Sequence, residues 1–173
     1  MKKAFITIFM AFVAIAGFAQ TTFNVRVGGG FYQVSEDLYY SGYYGHSYYE
    51  NETESRGGMA LVFEVNVPLG RRINNFIFSP SLSILSDFTN DVNFNVPLHF
   101  GYKFPMGDGS LFIPKIGPMV GFSAGGFGTD AVIYGPSAEL AFEIKHFVVA
   151  VNTYVGIDND SKIGVFGSVG YKF

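Results

Sequence analysis

Residues 92–104 read VNFNVPLHFGYKF, and their alternation decides the fold. Val92, Phe94, Val96, Leu98, Phe100, Tyr102 and Phe104 take every second position, while Asn93, Asn95, His99 and Lys103 lie between them. Successive side chains of a strand point to opposite faces, so the segment reads as one strand separating two different environments. The same period of two extends outward along the chain. In MALVFEVNVPL (59–69), Met59, Leu61, Phe63, Val65, Val67 and Leu69 oppose Glu64 and Asn66. In NFIFSPSLSIL (75–85), Phe76, Phe78, Leu82 and Ile84 oppose Ser79, Ser81 and Ser83. Phe23, Val25 and Val27 share a face opposite Asn24 and Arg26.

The second half repeats the pattern with more interruptions. SAELAFEIK (137–145) sets Ala138, Leu140, Phe142 and Ile144 against Glu139, Glu143 and Lys145. LFIPKIGPMVGF (111–122) aligns Phe112, Ile116, Val120 and Phe122 opposite Lys115, although Leu111, Ile113 and Met119 break the alternation. FVVAVNTYV (147–155) and KIGVFGSVGYKF (162–173) complete a set of about eight strands. The expectation is an all-β chain.

Composition narrows the class. The chain has 173 residues, 49% hydrophobic, 18% aromatic and 14% charged, too apolar for disorder and long enough for one domain. Residues 1–20, MKKAFITIFMAFVAIAGFAQ, join a Lys2/Lys3 start to an apolar run and small residues before Gln20. They read as a secretory signal cleaved after Ala19, leaving residues 20–173 as the folded domain. Without Lys2 and Lys3, 9 cations face 14 acids, a formal charge of −5 that argues against a nucleic-acid partner. There is no cysteine, hence no disulfide framework and no thiolate metal site. The three histidines, His46, His99 and His146, are not spaced as a metal set, and no cofactor is expected.

Long and short connections alternate: Ser35–Gly57, Gly70–Asn74, Ser86–Asp91, Pro105–Ser110, the glycine-rich Ala124–Asp130, a turn at His146, and Ile157–Ser161. Short turns fall at one end, as in barrels that cross a membrane. A soluble barrel or sandwich also alternates, with its apolar face inward around an apolar ligand. The charges decide between the two. Of the 23 charged residues in the mature chain, eight fall in strands (Arg26, Glu64, Lys103, Lys115, Glu139, Glu143, Lys145 and Lys172), all on the non-apolar face. That face otherwise carries Asn, Ser, Gly and Ala, a mixture suited to a narrow lumen, so the apolar face is expected outside. A transmembrane antiparallel up-and-down β-barrel of about eight strands follows.

The tetrapeptide Gly-Tyr-Lys-Phe occurs at 101–104 and again at 170–173. Both copies are expected to close an even-numbered strand at the same rim, with their aromatic side chains outward. Val169, Tyr171 and Phe173 resemble the C-terminal signal read by the barrel-assembly machinery of bacterial outer membranes. The mature chain as a whole resembles the small outer-membrane β-barrel domain family common in Bacteroidota, with VPLHFGYKF similar to that family's strand ending. The resemblance implies a monomer in the bacterial outer membrane, with membrane lipid and the assembly machinery as partners. Pro68, Pro80, Pro97, Pro114, Pro118 and Pro136 all fall within strands, where each removes a ladder donor, so bulges or register shifts are expected near them.

Three functional readings remain. An eight-stranded wall encloses room for side chains only. Arg26, Glu64, His99, Lys103, Lys115, Glu139 and Glu143 form the expected lumen network, with Arg26 near Glu64 and Lys115 near Glu139 or Glu143. A gate or proton path is conceivable, but buried ions must in any case be paired, so a structural network is favoured. His99 beside Ser79, Ser81 and Ser83 raises a lipid-acting enzyme, yet no nucleophile-elbow sequence frames these serines. The first long connection holds six tyrosines, Tyr39, Tyr40, Tyr43, Tyr44, Tyr48 and Tyr49, a low-entropy adhesive set suited to a surface protein or glycan, or else a hairpin continuing above the membrane. The expected function is a non-enzymatic barrel that presents surface loops for adhesion or envelope integrity.

Overall fold

The structure is a computed structural model describing residues 21–41, 47–69, 75–87, 92–125, 128–157 and 162–173. Its strands are β1 (Thr22–Ser41), β2 (Ser47–Pro68), β3 (Phe76–Asp87), β4 (Val92–Tyr102), β5 (Phe104–Pro105), β6 (Ser110–Gly125), β7 (Gly128–Ile144), β8 (Phe147–Gly156) and β9 (Lys162–Lys172). Every pairing is antiparallel, in the order β4-β3-β2-β1-β9-β8-β7-β6-β5, and β4 also pairs with β6, which closes the sheet. The two-residue β5 pairs Phe104 with Phe112 in the register that already sets Phe100 opposite Ile116, so it continues β4 beyond Lys103. The fold is the eight-stranded transmembrane-type barrel.

The alternation seen in the sequence becomes an outside and an inside. Val27, Phe31, Ile116, Val132, Phe147 and Val149 are exposed on the outer wall. Asn24, Arg26, Glu64, His99, Lys115 and Glu139 are buried in the lumen. β4, β8 and β9 run 11, 10 and 11 residues, the length a tilted strand needs to cross about 30 Å of hydrocarbon.

Three strand-level expectations are corrected. The connection expected at Ser35–Gly57 is largely strand, since β1 and β2 stay paired up to Ser41 opposite Ser47. Likewise β6 reaches Gly125 and β7 begins at Gly128, so the expected loop at Ala124–Asp130 is mostly hairpin, with a register shift between Ser123 and Gly125. Around the prolines, however, no register shift occurs. Pro80, Pro97, Pro114 and Pro118 instead each stand beside a two-residue gap in the pairing on one side only, while Pro68 is paired with Ile77 at the end of β2. Pairing of β2 with β3 stops between Glu64–Ser81 and Val67–Phe78, beside Pro80. That of β3 with β4 stops between Pro80–Leu98 and Ser83–Asn95, beside Pro97. That of β4 with β6 stops between Pro97–Met119 and Phe100–Ile116, beside Pro118, and Pro114 lies where β4 gives way to β5. Pairing of β7 with β8 begins only at Ser137, next to Pro136. A proline lacks the N–H directed at one neighbour while its carbonyl and the opposite ladder survive, which is why the register is kept.

Candidate functional site: the charged lumen

The lumen is layered. Near the short-turn end lie Ile77, Ile113, Ala141, Val148 and Ala150. Near the long-hairpin end lie Val62, Leu85, Met119, Ile133, Tyr154 and Phe166. Between these apolar layers sits a ring of four charges. Arg26 Nη2 is 2.9 Å from Glu64 Oε2 and 2.7 Å from Glu139 Oε2. Lys115 Nζ closes the ring, 2.7 Å from the Glu64 carboxylate and 2.6 Å from Glu139 Oε1. All four side chains are buried, and two cations against two carboxylates leave the ring neutral. Buried ions are costly unless paired and hydrogen-bonded. The carboxylates here are well served: Glu64 accepts further hydrogen bonds from Asn24 Nδ2 and Asn66 Nδ2, each 2.8 Å. Arg26 Nε and Nη1, by contrast, have no hydrogen-bond partner among the described residues.

The ring spans the barrel. Arg26 and Glu64 come from β1 and β2, whereas Lys115 and Glu139 come from β6 and β7 on the opposite wall. It therefore ties two halves of the cylinder together through its interior.

The repeated Gly-Tyr-Lys-Phe is built around this ring. Gly101 lies opposite Lys115 across β4 and β6, and Gly170 lies opposite Arg26 across β9 and β1. A Cβ at Gly101 would meet Lys115 Cγ at 2.8 Å, and one at Gly170 would meet Arg26 Cγ at 2.7 Å. Each copy of the repeat thus clears space for one ring cation. The tyrosines and phenylalanines then join an outer aromatic girdle at the turn end: Tyr102 packs on Phe104 at 4.6 Å, Tyr171 on Phe173 at 4.9 Å, and Phe173 lies 6.3 Å from Phe23. Val169, Tyr171 and Phe173 are all exposed on the outer wall.

The other expected lumen residues separate from the ring. Glu143 pairs with Lys172 at 2.6 Å in the turn-end mouth, not with Lys115. Lys103 is half buried at the same mouth, and its ammonium has no ion pair among the described residues. Lys145, expected on the lumen face, is instead an exposed turn residue with φ 57°. The cause is local: β7 ends at Ile144, and the two-residue turn of Lys145 and His146 needs a left-handed backbone.

His99 stands opposite Ser79 in register, but its ring bonds elsewhere: Nε2 is 2.9 Å from Ser137 Oγ. Ser137 Oγ in turn donates to the Gly117 carbonyl at 3.2 Å. This chain crosses the gap that Pro118 leaves between β4 and β6. At the Pro80 gap a Ser79 hydroxyl donates to Asn66 Oδ1 in the same way. Polar side chains thus bridge the gaps beside Pro80 and Pro118. Sequence reasoning missed Ser137, whose only signal is its place on the lumen face two residues before Glu139. Two small cavities, of about 20 and about 10 Å³, each have room for about one water. His99 and Asn152 line the smaller one.

Tyr39 pairs with Tyr49 and Tyr40 with Tyr48 along the β1–β2 ribbon. Tyr43, Tyr44 and the segment read as a signal lie outside the described residues. Among the described residues no helix is long and apolar enough to cross a membrane, and no acidic or histidine cluster has the makings of a metal site.

No family model and no curated protein matches the chain. Solved structures do. Neisserial surface protein A matches over 87% of this chain and 97% of its own, with 11% identity and a TM-score of 0.52. Ail, the attachment invasion locus protein of Yersinia pestis, matches over 88% and 98%, with 10% identity and a TM-score of 0.45. The first likeness shows a shared fold, the small closed β-barrel.

Proposed function

We propose that the chain is a sealed, non-enzymatic barrel of the bacterial outer membrane, whose wall anchors the long hairpins as an interaction surface. The observation that carries this is the pairing of an apolar outer wall with a lumen closed by the Arg26–Glu64–Lys115–Glu139 ring between two apolar layers. An apolar outer wall belongs in lipid, and a blocked lumen leaves no path for solute. Function then passes to what projects. The β1–β2 hairpin, with its six tyrosines, is the natural contact for a surface protein or glycan. Val169, Tyr171 and Phe173 serve recognition by the assembly machinery, and a single copy of the barrel suffices. A lipid-acting enzyme gains nothing from the geometry, because His99 is 1% exposed and Ser137 is engaged with Gly117.

Electrophoresis of the envelope fraction with and without boiling tests the reading. The expected result is a mobility shift in the outer-membrane fraction, together with no conductance steps in a planar bilayer. An unshifted, soluble protein overturns it.

A further inference from the structure

Three ladder gaps follow one another along β3, β4 and β6, and side chains bridge two of them, Ser79 with Asn66 beside Pro80 and His99 with Ser137 beside Pro118. At the third, beside Pro97, Asn95 is left with neither amide atom hydrogen-bonded among the described residues. The smaller lumen cavity, of about 10 Å³, lies at that gap. Asn95, Pro97 and His99 of β4 border it on one side and Asn152 of β8 on another.

The polar lining of this cavity is unsatisfied in a definite pattern. Asn95 and His99 are 1% exposed and Asn152 is 6% exposed. Even so, Asn95 Oδ1 and Nδ2, His99 Nδ1 and Asn152 Nδ2 all lack a hydrogen-bond partner among the described residues. Ser137 fixes the tautomer of His99. Its hydroxyl has one proton and donates it to the Gly117 carbonyl, so Ser137 Oγ accepts from the ring and the His99 proton sits on Nε2. The ring pairs with no carboxylate among the described residues and is neutral, which makes Nδ1 a bare acceptor. The Tyr154 hydroxyl stands beside Asn95, and an amide with Nδ2 on that side presents Oδ1 to the cavity. Two acceptors, His99 Nδ1 and Asn95 Oδ1, and one donor, Asn152 Nδ2, thus border one small space. No carboxylate and no cationic side chain borders it, so a neutral ligand fits there and an ion does not.

We infer that this cavity is a binding site for a single water molecule, which donates to His99 Nδ1 and Asn95 Oδ1 and accepts from Asn152 Nδ2. Buried waters make about three such bonds, and a space of about 10 Å³ holds one water and nothing larger. The water bridges β4, whose ladder is interrupted on both sides, to β8 across the lumen, a second transverse tie beside the charged ring. Met119, Tyr154 and Phe166 of the apolar layer close the cavity toward the hairpin end, so the water leaves only when that layer opens.

Nuclear magnetic resonance of the isotope-labelled barrel refolded in micelles tests this. Long-range nitrogen–proton correlation is expected to place the His99 proton on Nε2. Cross-peaks from water to the Asn152 side-chain amide and to His99 Hε1 are expected with opposite signs in laboratory-frame and rotating-frame experiments, the mark of a water held for longer than the barrel takes to tumble. In Asn152→Leu, whose methyl groups fill the cavity, the His99 cross-peak is expected to vanish while the barrel still shifts on boiling; its retention overturns the inference. In Tyr154→Phe the Asn152 cross-peaks are expected to persist, and their loss would assign them to the tyrosine hydroxyl and overturn the water. Should the leucine variant not fold, the unaltered chain and Tyr154→Phe still decide. A His99 proton on Nδ1, or no water cross-peak in the unaltered barrel, sinks this inference alone and leaves the sealed barrel standing. Cross-peaks of one sign in both experiments, here and at Ile77 in the other apolar layer alike, would mean solvent passing freely through the lumen, and would sink the sealed reading with it.

Discussion

From β8 through β9 and β1 to β2 the hydrogen-bonded ladder runs unbroken, Phe147–Tyr171 to Gly156–Lys162, Asn24–Lys172 to Val34–Lys162, and Thr22–Asn66 to Ser41–Ser47. From β2 through β3 and β4 to β6 every joint is interrupted beside a proline. The two arcs also differ in what lines them. Inside the continuous arc the glycines Gly28, Gly30 and Gly170 bring strands close together. Inside the interrupted arc stand Ser79, Ser81, Ser83, Asn95 and His99. An unbroken ladder holds one arc, with Asn24 and Arg26 adding bonds to Glu64 between β1 and β2, and an interrupted ladder bridged by side-chain hydrogen bonds holds the other. The charged ring joins them, and substitutions separate the three contributions.

The ring has the largest expected effect. Glu64→Ala leaves Arg26 and Lys115 sharing one carboxylate in the buried lumen, and breaking a buried pair costs about 3–5 kcal/mol. Urea titration of the refolded barrel in micelles measures it. Because the ring touches both arcs, the loss is expected in one transition; two separate transitions would show that the arcs fold independently.

Next come the glycines of the continuous arc. Gly170→Ala puts a Cβ 1.9 Å from the Val25 carbonyl and 2.7 Å from Arg26 Cγ, so strand and ring must both shift. Overpacking of this kind costs about 1–3 kcal/mol. Gly167→Ala, on the same strand but facing outward with nothing within 4 Å, is expected to be neutral or mildly stabilising. Equal midpoints for the two variants would remove close packing as the reason for glycine in this arc.

Much of this contrast is hidden from the sequence, for physical reasons. Alternation is local, so the wall segments of the strands and most inward charges and outward aromatics were legible from residues two apart; Lys145 was not, because alternation does not show where a strand gives way to a turn. Lys115 and Glu139 are register neighbours and were within reach of that reasoning. Closure of the ring by Arg26 was not, because it depends on the width of the barrel and the stagger of its strands. The reason for two copies of Gly-Tyr-Lys-Phe was hidden likewise: Gly101 and Gly170 matter through side chains on neighbouring strands. The prolines were recognised as ladder breakers. Their outcome, a gap without a register shift, was not, and the bonds that Ser137 and Asn66 make at two of the gaps are announced by no spacing. The β1–β2 connection looked like a loop because its residues are polar, yet a two-stranded ribbon above the wall has no apolar side to reveal it.

A smaller effect distinguishes two serines. Ser137→Ala removes the hydroxyl between His99 and the Gly117 carbonyl at the Pro118 gap, leaving both buried groups short of a partner, for about 1–2 kcal/mol. Ser168, on β9, has a buried hydroxyl with no hydrogen bond among the described residues. Ser168→Ala is therefore expected to cost nothing or to stabilise. Denaturant midpoints of the two variants decide the point, and a Ser168 variant as weak as the Ser137 one would mean that losing any lumen hydroxyl weakens the barrel, whether or not it bridges a ladder gap.

The subtlest effect is kinetic. An amide beside a ladder gap opens without unzipping its neighbours, so local opening there costs less than global unfolding. Hydrogen exchange of the barrel in micelles should then release deuterium label around Ser81–Leu82 and Leu98–His99 before the equally buried centre of β9, Val165–Ser168. Pro97→Val restores the missing donor opposite Ser81 and should slow exchange at that joint, while leaving the joint beside Pro118 unchanged. Were both joints to slow together, the interrupted arc would open as one unit, and the prolines would act through the stiffness of the whole arc instead of one gap at a time.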